Sequence, residues 1–135
     1  MTLAPVEDRS AASHRHYFAA INECWRSLSE ELADQFASAE HLRKAALIKA
    51  GYRDERSIVC ASHAEALRVA AFIRPLDDYA IVSVVGSTVV QLTAKSQSQK
   101  AMGKEVFGAS KEAVFNVLAE MLGVPVGDLP KSEAA

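Results

Sequence analysis

The chain has 135 residues, half of them apolar and a quarter charged, with a formal net charge of -2. That length suits one hydrophobic core and is short for two, and the composition excludes a disordered or fibrous chain. Without a Lys/Arg excess, a surface built throughout to hold a duplex is also excluded, although a local basic patch is not.

Two cysteines, Cys24 and Cys60, are too few for a disulfide framework and read as reduced, buried thiols. Residues 1–10 hold no apolar run long enough for a signal peptide, and nowhere do eighteen apolar residues run uninterrupted. The expectation is a cytoplasmic protein that does not enter a membrane.

In chain order, residues 1–12 are small, polar and aperiodic, and are expected to form a flexible arm. A single domain is expected over residues 13–126. Its first helix covers 13–28, with Ser10 and Ser13 as alternative N-caps. Tyr17, Phe18, Ile21, Cys24, Trp25 and Leu28 fall at i, i+1, i+4, i+7, i+8 and i+11, one stripe of a 3.6-residue helix. Ser29 can cap a further turn carrying Leu32 and Phe36, and Ser38 opens a second helix that stops at Gly51.

Residues 57–61, SIVCA, read as a buried strand after the charged run YRDERS. Ser62 with Glu65 forms a capping box for a helix expected to turn Leu67, Ala70, Ala71 and Ile73 inward and to end before Pro75. Residues 79–94 are dense in Val, Ile and Thr around Gly86-Ser87, which predicts a hairpin at the centre of its sheet. A polar connection follows over 95–108, anchored by Met102 and Phe107. Ser110 is then expected to cap a last helix ended by Gly123 and Pro125, with a flexible tail over 127–135. The fold class is α+β: a small three-stranded sheet containing a central hairpin, packed with about four helices in the order α-α-β-α-β-β-α.

Few residues offer chemistry. Cys60 and His63 have C-x-x-H spacing and His14 and His16 add two imidazoles, but these are two separate pairs with no further ligand motif. Cys24 lies inside the apolar stripe, where burial suppresses the thiolate. Glu30-Glu31 and Asp77-Asp78 are adjacent carboxylates, and neighbours in sequence diverge in space. The glycines stand singly, so no loop cradles a phosphate. Neither an enzyme nor a bound metal or cofactor is expected.

Two basic groupings remain: Arg43, Lys44, Lys49, Arg53 and Arg56 around the end of the second helix, and Lys95, Lys100, Lys104 and Lys111 along the polar connection, which adds Ser96 and Ser98. Either can meet phosphate. Asp54 and Glu55 dilute the first, and charge runs are commonly just solvated faces. For stacking bases, only Tyr52 and Phe107 lie near in sequence.

The segments HRHYFAAINECW, SAEHLRKAALIKAGYRDE and TAKSQSQKAMGKEVFGASKEAVFNVLAEML, in that order, resemble a phage and prophage family of uncharacterised proteins, a domain of unknown function. The resemblance spans roughly residues 14–122. It rests on His14, Arg15, Phe18 and Asn22 in the first helix and on Lys95, Ser96, Ser98, Met102 and Phe107 before the last. The chain lacks the long N-terminal strand region of fuller members, as a shortened version would. The resemblance implies a setting among the recombination and replication genes of temperate phages and supplies no catalytic residues.

The expected function is a non-enzymatic accessory protein that binds nucleic acid or a nucleoprotein partner through Lys95, Ser96, Ser98, Lys100 and Lys104, with Arg53 and Arg56. The alternative is a small anti-defence type inhibitor that binds a host or phage protein. A homo-oligomer stays open, because a valine-rich hairpin at a sheet edge invites pairing between chains.

Overall fold

The computed structural model describes residues 6–75 and 78–129. The elements are α1 (Val6–Arg26), α2 (Glu30–Ala33), α3 (Ala39–Ala50), β1 (Arg53–Val59), α4 (His63–Ile73), β2 (Ile81–Val85), β3 (Thr88–Ala94), α5 (Gln99–Met102) and α6 (Lys104–Leu122), followed by a 3-10 turn (Val126–Asp128). The fold is α+β, with one antiparallel sheet in the order β1-β3-β2. The chain divides into two compact units, Met1–Leu42 with Phe115–Ala135, and Arg43–Val114.

In the first unit, helix α1 starts at Val6, so Ser10 and Ser13 lie inside it rather than at its cap. Residues 1–5 of the expected arm and 130–135 of the expected tail lie outside the described residues. The predicted stripe faces inward: Tyr17, Ile21 and Cys24 are buried, with Phe18, Trp25 and Leu28 half-buried. Tyr17 meets Phe18 and Phe115 edge-on at centroid distances of 5.2 and 5.4 Å. Trp25 Nε1 donates to the Phe36 carbonyl at 3.1 Å, so its polar edge is satisfied where its ring packs. The chain restarts as expected: Ser29 accepts from Leu32 N at the head of α2, and Ser38 accepts from His41 N at the head of α3.

In the second unit, α3 ends at Gly51, whose φ of 98° a side chain would disfavour. Strand β1 then begins at Arg53, four residues before the expected strand. Its first residues are charged and exposed, and an edge strand tolerates such a pattern without apolar alternation. Ser62 caps α4, accepting from Glu65 N at 3.1 Å, and the helix ends at Ile73 before Pro75. Its inward residues differ from expectation. Ala66 and Ala70 pack with Val82 and Val89 of the sheet, flanked by Ile58, Val69, Ile73 and Val84, whereas Leu67 and Ala71 face solvent. Small residues allow the helix to sit close on the sheet, and the bulkier Leu67 does not fit that contact.

The hairpin pairs Val85 with Thr88 across Gly86-Ser87. Gly86 has φ +63° and Ser87 is not left-handed, as a type II′ turn requires. Only one strand of the hairpin is central: β3 lies between β1 and β2, and β2 forms the second edge.

Helix α6 also departs from expectation. It starts at Lys104 and runs straight through Gly108 and Ser110, so Ser110 is an interior residue rather than a cap. Phe107, Ser110, Val114 and Leu118 fall at i, i+3, i+7 and i+11 and are all buried. Burial of that stripe outweighs the cost of about 1 kcal/mol for a mid-helix glycine.

Candidate functional site

The ladder between β1 and β3 brings parts of the two basic groupings together. Arg53 lies opposite Ala94, Asp54 opposite Thr93 and Arg56 opposite Gln91, which sets Lys95 beside the start of β1. Each of these cations has a local partner. Lys95 Nζ pairs with Asp54 Oδ1 at 2.7 Å, with the two side chains 49% and 65% exposed. Arg56 Nη2 donates to Gln91 Oε1 at 3.0 Å, and Arg53 Nη1 to the Ile48 carbonyl at 2.8 Å. Asp54, Glu55, Arg56, Gln91 and Thr93 line an open depression of about 450 Å³, unlike the enclosed cleft of a small-molecule site.

Beyond β3, Ser98 caps α5 by accepting from Ala101 N at 3.1 Å, and Gly103 at φ +82° separates α5 from α6. Ser96, Lys100 and Lys104 are exposed. Lys111 lies over the Phe107 ring, 4.3 Å from its centroid, and burial pulls its ammonium below the ordinary lysine pKa. From the first grouping, Arg43 is buried and Lys44 pairs with Asp78, while Lys49 is exposed. The register therefore brings Lys95 to the start of β1 on the sheet face of Asp54 and Arg56, with Arg53 on the opposite face. Lys100 and Lys104 are carried on the short helix and helix start that follow.

A buried polar chain, not legible in the sequence, lies behind this segment. Arg43 Nη1 donates to Gln97 Oε1 at 2.9 Å, Gln97 Nε2 donates to Ser110 Oγ at 2.9 Å, and Ser110 Oγ donates to the Phe107 carbonyl at 2.7 Å. All three side chains are buried, and no buried side-chain nitrogen or oxygen among the described residues lacks a partner. The chain ties α3 and α6 to the stretch after β3, fixing the backbone from which Ser96 and Lys100 project. Its members are 54 and 13 residues apart in sequence, so no local spacing announces it.

The nucleophile and metal candidates occupy structural places. Cys24 is fully buried, and burial, with a smaller push from Glu23, raises its thiol to about 11. Cys60 Sγ sits 4.0 Å from the Ile58 carbonyl. His63 Nδ1 lies 2.5 Å from the Gly86 carbonyl, where it staples the head of α4 to the hairpin turn. His16 is exposed, and the side chain of His14 lies outside the described residues. Among the described residues no three His, Cys, Asp or Glu side chains converge as metal ligands. Glu30 and Glu31 occupy the first turn of α2, where carboxylates favour the helix dipole. Asp77 lies outside the described residues.

Large apolar side chains are also left in solvent. Phe72 on α4 is 90% exposed, Val59 at the end of β1 79% and Val85 at the end of β2 68%. Both valines stand opposite Thr88, hence on one sheet face. No helix among the described residues is long and apolar enough to cross a membrane. No family model matches the chain, and comparison with curated proteins and with solved structures found no match.

Proposed function

We propose that this protein is a non-enzymatic, phage-derived accessory factor that binds nucleic acid, or a nucleoprotein partner, in recombination or replication. The binding surface comprises Arg53, Arg56, Lys95, Ser96, Ser98, Lys100 and Lys104. One observation carries the reading: the β1–β3 register brings Lys95 to the start of β1, on the sheet face of Asp54 and Arg56 and next to the Arg53–Ala94 pair. Cations scattered over forty residues of sequence thus share one ladder, with Arg53 on its opposite face. Five cationic side chains are set against three neighbouring carboxylates, Asp54, Glu55 and Glu105, on a chain whose overall charge is -2.

The existing ion pair does not oppose this. An exposed Lys–Asp contact contributes about 1 kcal/mol or less, so a phosphate can take the place of Asp54 at Lys95. Ser96, with its exposed hydroxyl, suits phosphate contacts that position a strand without reading its bases. The phage setting is supported by the sequence resemblance alone.

Fluorescence anisotropy with labelled single- and double-stranded DNA and RNA tests the proposal. Binding at low salt that weakens steeply at moderate salt is the expected result. No binding to any of the four at low salt removes it.

The second reading, an inhibitor that binds a host or phage protein, is favoured by the exposed Phe72. A pull-down with and without nuclease separates the two. A protein partner retained after nuclease treatment and lost with Phe72→Ser supports the inhibitor reading.

A further inference from the structure

The two edges of the sheet differ in chemistry. The β1 edge carries Arg53, Asp54, Glu55 and Arg56, and charge of this kind blunts an edge against strand addition. The β2 edge, Ile81-Val82-Ser83-Val84-Val85, has no charged residue, no proline and no bulge. Its outward backbone groups follow from the hairpin. A two-residue turn makes Val85–Thr88 a hydrogen-bonded pair, so by alternation Ser83–Val90 and Ile81–Leu92 are hydrogen-bonded pairs as well. The N–H and C=O groups of Val82 and Val84 therefore point away from β3. A contact in the structure agrees: Arg74 Nη2 reaches around to the Val82 carbonyl at 3.2 Å.

We propose that β2 pairs antiparallel with β2 of a second copy, about a two-fold axis at Ser83, joining two three-stranded sheets into one. Of the registers the alternation allows, this one uses every outward group. Val82 forms a hydrogen-bonded pair with Val84 of the second copy, and Val84 with its Val82. Side chains match in the same register. Val85, 68% exposed, comes to stand opposite Ile81 of the second copy, and Val82 opposite Val84, β-branched pairs of the kind that stabilise strands. Ser83, exposed on each strand, meets its own copy on the axis, where a small uncharged side chain is what a close pair of strands requires.

The strand's own residues carry no charge, and the cation held at this edge, Arg74, gives up the Val82 carbonyl to backbone pairing. The strands then meet without repulsion between their own side chains, and the contact is isologous, so it closes as a dimer instead of growing into a fibre.

Sedimentation velocity on the full chain tests this, with Ser83→Lys and Ser83→Glu as variants. Ser83 is exposed and the substitutions keep its backbone bonds to β3, so circular dichroism should report unchanged folding. The wild type is expected at twice the chain mass of 14.5 kDa. Each variant alone should run as a monomer, because like charges meet on the axis, and an equimolar mixture of the two should recover the dimer. A monomeric wild type, a dimer that survives both substitutions, or a mixture that stays monomeric would each overturn the proposal.

Discussion

Ser110 shows how far the environment of a residue can depart from its local signal. It stands before an amphipathic run, where a serine commonly caps a helix, yet it lies mid-helix with its hydroxyl donating to Phe107 and accepting from Gln97. Ser110→Ala therefore removes two bonds at once and leaves the buried Gln97 amide short of an acceptor. A loss of about 1–3 kcal/mol in urea unfolding is expected. Gln97→Ala should cost at least as much as Ser110→Ala, because it removes the acceptor of the buried Arg43 guanidinium as well as the bond to Ser110.

Cys24, by contrast, behaved as its place in the stripe predicted. Below pH 9 the thiol is protonated in both folded and unfolded chains. As pH rises from 9 toward about 11, the unfolded chain ionises first and stability falls. Cys24 thus accounts for a loss of about 2–3 kcal/mol across that window. Burial raises the Tyr79 hydroxyl too, with the same sign, so the comparison with Cys24→Ala isolates the thiol. Urea unfolding of both proteins on either side of the window should show the alkaline loss diminished in the variant.

At the scale of elements, three serine caps and two breakers were legible, whereas Ser10, Ser13 and Ser110 precede apolar stripes and yet lie inside α1 and α6. Ser29, Ser38 and Ser62 each cap a helix, and Gly51 and Pro75 each follow the end of one. The charged half of β1 was not legible. Strand pairing there comes from the partner β3, and an edge strand exposed on its charged residues carries no alternating pattern to read. The inward face of α4 was read correctly at Ala70 and Ile73 and wrongly at Leu67 and Ala71, because Ala66 and Val69 lie on the same side as Ala70 and Ile73 and meet the sheet instead. The hairpin turn is the element whose sequence requirement is strictest. A Cβ at Gly86 would meet nothing within 4 Å, so Gly86→Ala is opposed by backbone conformation alone. Its expected cost is about 1–2 kcal/mol, read as a lowered Tm with the spectrum of the folded protein unchanged.

For the molecule as a whole, the succession of helix and strand signals was enough for the α+β class, but the arrangement of cations depended on strand register. Lys95 and Arg53 are far apart in sequence, and only the β1–β3 pairing makes them neighbours. The same pairing shows what the sequence concealed, that Lys95, Arg53 and Arg56 each already hold a local partner. Lys100 and Lys104 are exposed on α5 and at the start of α6, and they are the lysines whose loss should disturb the fold least. Binding through this surface should be electrostatic and tolerant of sequence, because its cations and hydroxyls suit phosphate.

The most direct test is the salt dependence of single-stranded DNA binding, measured for the wild type and for the double variant Lys100→Ala/Lys104→Ala. Wild-type binding should weaken linearly on a log–log plot, and the double variant should bind more weakly with a slope reduced by about 1.4 while folding is unchanged. A wild type that does not bind, or a variant whose affinity and slope equal those of the wild type, would contradict the account.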